Sequence, residues 1–157
     1  MTSTSQYVGV LMSWIEDKQA LFQWAGPGFR YPYDLASFSE DLQLDKMESY
    51  GLVDGEKLLA FGQWYSRWQC RHLSRLIVAP DYRGKRINQQ KVSHHLINGL
   101  IEQAGRSDPQ LVKQPSSLFV LADNGPAVRA YQQLGFRACS PLEPIPIENC
   151  LYMRRAA

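Results

Sequence analysis

The sequence has no apolar run long enough to cross a bilayer, and its first residues, Met1-Thr2-Ser3-Thr4-Ser5-Gln6, carry no basic region followed by an apolar stretch. Membrane insertion and secretion are both disfavoured, and no membrane partner is expected. Cysteine is scarce: Cys70, Cys139 and Cys150 are odd in number and lack C-x-x-C or His-paired spacing, so no metal site is expected and a reduced, cytoplasmic protein is the simplest reading. Charge of one sign is lacking too. A net charge of +2 does not by itself imply a surface that coats nucleic acid, and no known nucleic-acid-binding motif is present, so both count against that partner and none is expected. There is no internal repeat and no low-complexity tract. What is there is 45% hydrophobic and 11% aromatic content over 157 residues, enough for one core and a single domain spanning 1–157.

Within that domain one stretch stands out, Leu76-Ile77-Val78-Ala79-Pro80-Asp81-Tyr82-Arg83-Gly84-Lys85-Arg86-Ile87-Asn88, followed at once by a helical pattern. A β-branched run, a Pro/Asp/Gly turn and a helix start predict a strand, a tight loop and a helix N-terminus in that order. The first helical turn leaves backbone N–H groups unpaired, the helix dipole adds partial positive charge, and Arg83, Lys85 and Arg86 add full charges. The expected ligand is a polyanion, held as phosphate is held.

Around this stretch the chain reads as follows. Tyr7 to Met12 is a short β-prone run, and Ser13-Trp14-Ile15-Glu16 has capping-box spacing for a helix that Gly26-Pro27-Gly28 ends. An aromatic loop, Phe29 to Tyr33, is either a core plug or a binding wall. Leu35, Phe38 and Leu42 then resume a helical period. Asp54-Gly55 between Ser49–Val53 and Lys57–Tyr65 marks a hairpin, because both residues tolerate positive φ. Gln69 to Ala79 extends it into an antiparallel meander. A helix beginning at Asn88 or Gln89 carries Val92, Leu96, Ile97, Leu100, Ile101 and Ala104 on one face up to Gly105. Leu118 to Ala122 is a buried strand, Asn124-Gly125-Pro126 opens a helix with Asn124 as a plausible cap, and two last strands flank a Pro141/Pro144/Pro146 loop. The β-α-β-α succession implies at least one parallel strand pair.

Two of these segments, Val78 to Asn88 and Asn124-Gly125-Pro126-Ala127-Val128-Arg129-Ala130-Tyr131-Gln132-Gln133-Leu134-Gly135-Phe136, together resemble the GNAT superfamily of acetyl-CoA-dependent N-acyltransferases. The resemblance covers the last half of the chain well, and the first half only in its pattern of elements. It implies an α/β fold with a central, mostly antiparallel mixed sheet flanked by helices, in which the parallel fourth and fifth strands splay apart. Acetyl-CoA is implied as co-substrate. The fourth strand would pair its backbone with pantetheine at Leu76, Ile77 and Val78. The loop Arg83, Gly84, Lys85, Arg86, Ile87 and Asn88 would hold the pyrophosphate, and Asn124 would contact pantetheine. Where the family usually carries glycine, this chain has Arg86 and Asn88. Arginine in a left-handed conformation costs on the order of 1 kcal/mol, so Arg86 either offsets strain by pairing with phosphate or marks weakened binding.

The activity implied is transfer of an acetyl group to a primary amine of a small molecule or peptide by direct attack on the thioester. The alternative is a catalytically weak or inactive CoA-binding sensor. A homodimer is compatible with either. Such a transfer needs a neutral amine, a stabilised oxyanion and a proton for the departing thiolate. The backbone near Val78 suits the second task. Tyr131 matches the family's acid, with a core position as the alternative because it shares a helix face with Ala127 and Leu134. The general base is open among Glu40, His72, Asp123 and Glu148, since the position of the glutamate that some relatives use is Phe119 here.

Overall fold

The computed structural model describes residues 7–145 and 147–157. Met1 to Gln6, of which the first expected strand takes none, and Pro146 of the proline loop lie outside the described residues.

The first expected strand is a helix. Val8, Leu11 and Trp14 recur every third residue and all are buried in α1, Val8–Trp14. A helix buries such a stripe on one side, whereas a pleated strand would split it between two faces. Ser13 does not open the next helix either. Its hydroxyl donates to the Val10 carbonyl at 2.6 Å inside the last turn of α1. The cap of α2, Lys18–Ala25, is Asp17, whose carboxylate accepts from the Ala20 N–H at 2.8 Å. One expected helix is therefore two. The aromatic loop follows, pinned where Arg30 donates to Asp41 at 3.0 and 3.1 Å. Helix α3, Leu35–Leu42, starts with a complete Asp34/Ser37 capping box and buries Phe38 and Leu42.

Strands β1, Glu48–Asp54, and β2, Lys57–Arg67, form the expected hairpin, with Gly55 at φ 62 in its turn. Strand β3, Cys70–Val78, continues the meander. Next come a small ladder of β4, Arg86–Ile87, against β5, Gln90–Lys91, and helix α4, Val92–Ser107. Strand β6, Ser116–Leu121, helix α5, Gly125–Gln133, strand β7, Arg137–Cys139, and strand β8, Cys150–Arg155, complete the order. The main sheet runs β1-β2-β3-β6-β8-β7 and is antiparallel except between β3 and β6. This is the expected class, a mixed and mostly antiparallel sheet flanked by helices.

The parallel pair is short, which positions everything that follows. Arg71, His72 and Leu73 pair with Ser116, Ser117 and Leu118, and beyond them the strands part. The parting coincides with a bulge. Between Phe61 and Gln63, which face Ile77 and Ser74, β3 carries one more residue than β2, and Arg75 stands there at φ 51. Opposite it sits Gly62, where an added Cβ would come within 2.6 Å of Leu100 and 2.8 Å of Leu76. The bulge needs glycine on its partner strand because the side chains above it already fill the space.

Helix α4 does not begin at Asn88 or Gln89. Those two residues, at φ 51 and 68, are the turn of the β4/β5 hairpin, and the helix starts four positions after Asn88 at Val92. Two successive positive φ values match the favoured two-residue hairpin turn, which asparagine tolerates. Arg86 lies in the ladder opposite Lys91, so the left-handed strain expected for it does not arise.

Two cores lie against the sheet. One gathers Leu73, Leu96, Leu100, Leu118, Phe136 and Met153 under α4, and the other gathers Leu11, Leu21, Phe29, Phe38, Leu42 and Phe61 under α1 to α3.

Candidate active site

Where β3 leaves β6, a cavity of about 490 Å³ opens. One wall is the free edge of β3, from Leu76 through Ile77 to Val78. The Ala79 N–H donates to the Leu59 carbonyl of β2 at 2.8 Å. Backbone direction alternates along a strand, so the peptide groups of Val78 face the open side. The Val78 carbonyl accepts there from Arg83 Nε at 3.1 Å, which ties that guanidinium to the strand edge.

The far end of the cavity is cationic. Arg83, Gly84 and Lys85 line it from the turn, and Lys91, Val92 and Ser93 from the start of α4. The Val92 N–H donates to the Lys85 carbonyl at 3.2 Å, closing the turn onto the helix. Lys91 stands at the N-cap position and its side chain makes no capping bond. It donates instead to Gln133 Oε1 at 3.0 Å. First-turn N–H groups without a side-chain cap, beside the dipole and the lysines, favour an anion.

Of the residues singled out in the sequence, Leu76, Ile77, Val78, Arg83, Gly84, Lys85, Asn124 and Tyr131 meet around this cavity, and Arg86, Ile87 and Asn88 do not line it. Those three form the hairpin beyond it. Arg86 donates to the Gln89 carbonyl at 3.0 Å, and His95 Nε2 donates to the Ile87 carbonyl at 2.7 Å, which fastens the hairpin to α4. Asn124 occupies the N-cap position of α5 without making the expected side-chain cap. Tyr131 packs its ring edge-on against Phe136 with centroids 6.3 Å apart. Its hydroxyl bonds to none of the described residues, and burial pushes the phenol up to about 12.

The candidate bases separate clearly. Glu40 pairs with Arg30 at 3.4 Å on the surface. Asp123 and Glu148 line neither large cavity, whereas Glu16, which the sequence reading passed over, lines the first. His72 lines a second cavity of about 500 Å³, bounded by β3 and β6 themselves. Its Nδ1 is 2.8 Å from Ser117 Oγ, and burial, with the charge of Arg67 adding, holds the imidazole down at about 3. It is neutral at physiological pH.

Gln23 and Trp24 line both cavities, so α2 forms their common wall. Trp24 leans on Phe29 and Phe38, and its buried indole N–H has no partner among the described residues. Sequence reasoning missed Lys91 and Ser93 because the motif pointed to Arg86–Asn88. The signal was available: the apolar period Val92, Leu96, Leu100 begins at Val92.

The two-sided opening beside a cationic turn can hold a long anionic thioester on one side and a nucleophile on the other. No curated protein matches the chain. Among solved structures, PaiA N-acetyltransferase from Thermoplasma acidophilum in complex with coenzyme A has a TM-score of 0.62 at 14% identity, over 98% of this chain and 94% of that one. Ribosomal-protein-alanine N-acetyltransferase from Brucella melitensis gives 0.68 at 16%, over 100% and 98%. Ribosomal-protein-S18-alanine N-acetyltransferase from Escherichia coli gives 0.56 at 20%, over 90% of each. At these identities the likeness is one of fold. The model of the acetyltransferase (GNAT) family, whose co-substrate is acetyl-CoA, matches residues 18–136. That span takes in the shared wall of α2, the splayed edge of β3, the cationic turn and Tyr131, and the chain belongs to the GNAT acetyltransferase family.

Proposed function

We propose that the chain is an N-acetyltransferase that moves an acetyl group from acetyl-CoA to a primary amine of a small molecule or peptide by direct attack on the thioester. The observation that carries this reading is the continuity of the first cavity, from Arg83, Lys85 and Lys91 along the free edge of β3 to Tyr131 and the wall it shares with the second cavity. Pyrophosphate would sit on the turn and on the first N–H groups of α4, with Lys85 and Lys91 beside it. The pantetheine amides would lie along the edge of β3 at Leu76, Ile77 and Val78, with Asn124 on the same cavity wall. The fit is chemical as well as spatial: a strand edge needs donors and acceptors in alternation, and pantetheine supplies both.

In this reading the amine nitrogen attacks the carbonyl carbon, the backbone by Val78 steadies the oxyanion, the C–S bond breaks, and Tyr131 gives the thiolate its proton. Glu16 is the one carboxylate among the described residues of either cavity wall, and it is our candidate to receive a proton from the amine, directly or through water. Arg86, the residue that favours an inactive sensor, stands in the hairpin outside the cavity. Cytoplasmic placement is proposed on the three free cysteines. No described helix is long and apolar enough to cross a membrane.

Calorimetric titration with CoA and acetyl-CoA tests the donor site. Lys91→Ala is expected to weaken both on the order of 10-fold, the worth of one charge-assisted contact, and Arg86→Ala to leave both close to wild type. The reverse order of effects would return the phosphate site to the hairpin. Absence of binding at high micromolar protein would remove the proposal altogether.

A further inference from the structure

The second cavity has a chemistry of its own. Phe22, Trp24, Tyr65 and Phe119 wall it, and among its described lining residues there is no carboxylate but two cations, Lys46 and Arg75. Lys46 is exposed at the rim. Arg75 is the residue of the bulge, half-buried at φ 51. A non-glycine residue held left-handed costs on the order of 1 kcal/mol and persists only where its surroundings fix it.

The surroundings of Arg75 fix one nitrogen. Nη1 donates to Gln63 Oε1 at 2.8 Å and to the Leu42 carbonyl at 3.1 Å, and lies 3.5 Å from Met47 Sδ. All of these partners are neutral, and Arg75 forms no ion pair among the described residues. Below the guanidinium is the ring of Phe29, 4.9 Å from Cζ. Nε and Nη2 bond to none of the described residues. These two nitrogens form one edge of the planar fork, and that edge is one at which guanidinium takes a carboxylate through parallel N–H bonds. Burial disfavours the charge of Arg75, and Asp41 offsets this only in part, acting through space while its carboxylate is held by Arg30, so an anion on the free edge would complete the compensation.

We propose that the second cavity receives an acceptor that carries a carboxylate as well as its primary amine, an amino acid with an apolar or aromatic side chain. The carboxylate seats on the Nε–Nη2 edge of Arg75 with Lys46 at the rim, and the side chain packs among the aromatic walls. The amine then points toward Gln23 and Trp24, where the second cavity meets the first. This inference rests on the acyltransfer reading above. The reaction balances simply: the amine nitrogen bonds to the acetyl carbon, the C–S bond breaks, and one proton passes from nitrogen to sulfur. The products are the N-acetyl amino acid and CoA thiol. A polyamine or a lysine-rich peptide would bring more positive charge to a wall that has only positive charge.

The test is a calorimetric titration of the CoA-saturated protein with the N-acetyl derivatives of the apolar and aromatic amino acids. Each is paired with its decarboxylated counterpart, such as N-acetylphenylalanine against N-acetylphenethylamine. At least one carboxylate-bearing member is expected to bind on the order of 10- to 100-fold more tightly than its counterpart, as one charge-assisted fork allows. Arg75→Gln, and separately the rim variant Lys46→Glu, should erase most of that difference while leaving CoA affinity unchanged. Because Arg75 also holds Leu42 and Gln63, thermal melting establishes that its variant folds, and Lys46→Glu stands on its own if it does not. Equal affinity for every pair, no binding of any pair to CoA-saturated protein, or preferential acetylation of spermidine would overturn the inference and leave the acetyltransferase reading in place. Failure of CoA itself to bind would instead remove the reading on which it rests.

Discussion

Tyr131→Phe is expected to lower turnover by about 10²- to 10⁴-fold, the usual effect of losing one positioned general acid, while CoA affinity and melting temperature stay near wild type. The ring keeps its contact with Phe136, and the lost hydroxyl has no partner among the described residues to strand. The phenol is pushed up to about 12, so it keeps its proton through neutral and alkaline pH and is available as a donor throughout. A free thiol has a pKa near ~8.5, which would make the transfer uphill in water. In the cavity the forming thiolate meets the same desolvation and its own pKa rises with that of the phenol. The two stay closer than their values suggest. Measured kcat near wild type in Tyr131→Phe, with an acceptor in hand, would assign the proton to water and leave Tyr131 as core.

Phe38→Ala is expected to be the most damaging truncation in the helical layer. Phe38 has no exposed surface and touches three rings at once: Trp24 at 5.9 Å, Phe29 at 5.3 Å and Tyr33 at 5.0 Å between centroids. Removing a buried phenylalanine costs about 3–5 kcal/mol, a large share of the roughly 5–15 kcal/mol that holds a domain together. For a chain of this size that is a fall of roughly 6 to 20 °C in Tm. The function should suffer separately, because Trp24 loses the surface it stacks on and is the wall both cavities share. A shift under about 2 °C, below what 1 kcal/mol produces, would show that the neighbouring rings collapse into the space. Acetyl transfer by the variant well below its Tm then reads the loss of the wall alone.

The sheet was legible in the sequence and the helical layer was only half so, for one physical reason. Asp54-Gly55 fixes a hairpin locally, and alternation in the strands that follow fixes the meander. By contrast Val8 and Val10 favour a strand by local preference, and only the burial of Leu11 and Trp14 against α3 makes the segment a helix. That Arg83–Lys85 and Tyr131 would come together was legible, since all of them line the first cavity. The hairpin that displaces Arg86, Ile87 and Asn88 was not, because a two-residue ladder carries almost no pattern and Asn88 suits a helix cap as well as a turn. Arg75 could not have been found at all from sequence. Its position depends on a one-residue mismatch between β2 and β3, which exists only once the strands are paired.

The two cores bear on how the proposed site is held together. Arg83, Lys85, Lys91 and Tyr131 hang on elements packed under α4, whereas Gln23 and Trp24 belong to the layer of α1 to α3 on the opposite face. Those three helices are short, with 7, 8 and 8 residues, and short helices hold their shape by docking rather than by themselves. Amide exchange in native conditions should therefore be faster in α1 to α3 than in β2, β3 and α4, as in a layer that undocks while the sheet persists. Each undocking would leave the nucleotide loop assembled and take away the partition between donor and acceptor, so a protein sampled in that state would still hold CoA yet transfer nothing. The lifetime of the docked layer, more than the strength of the loop, would then set what fraction of bound donor is competent at any instant.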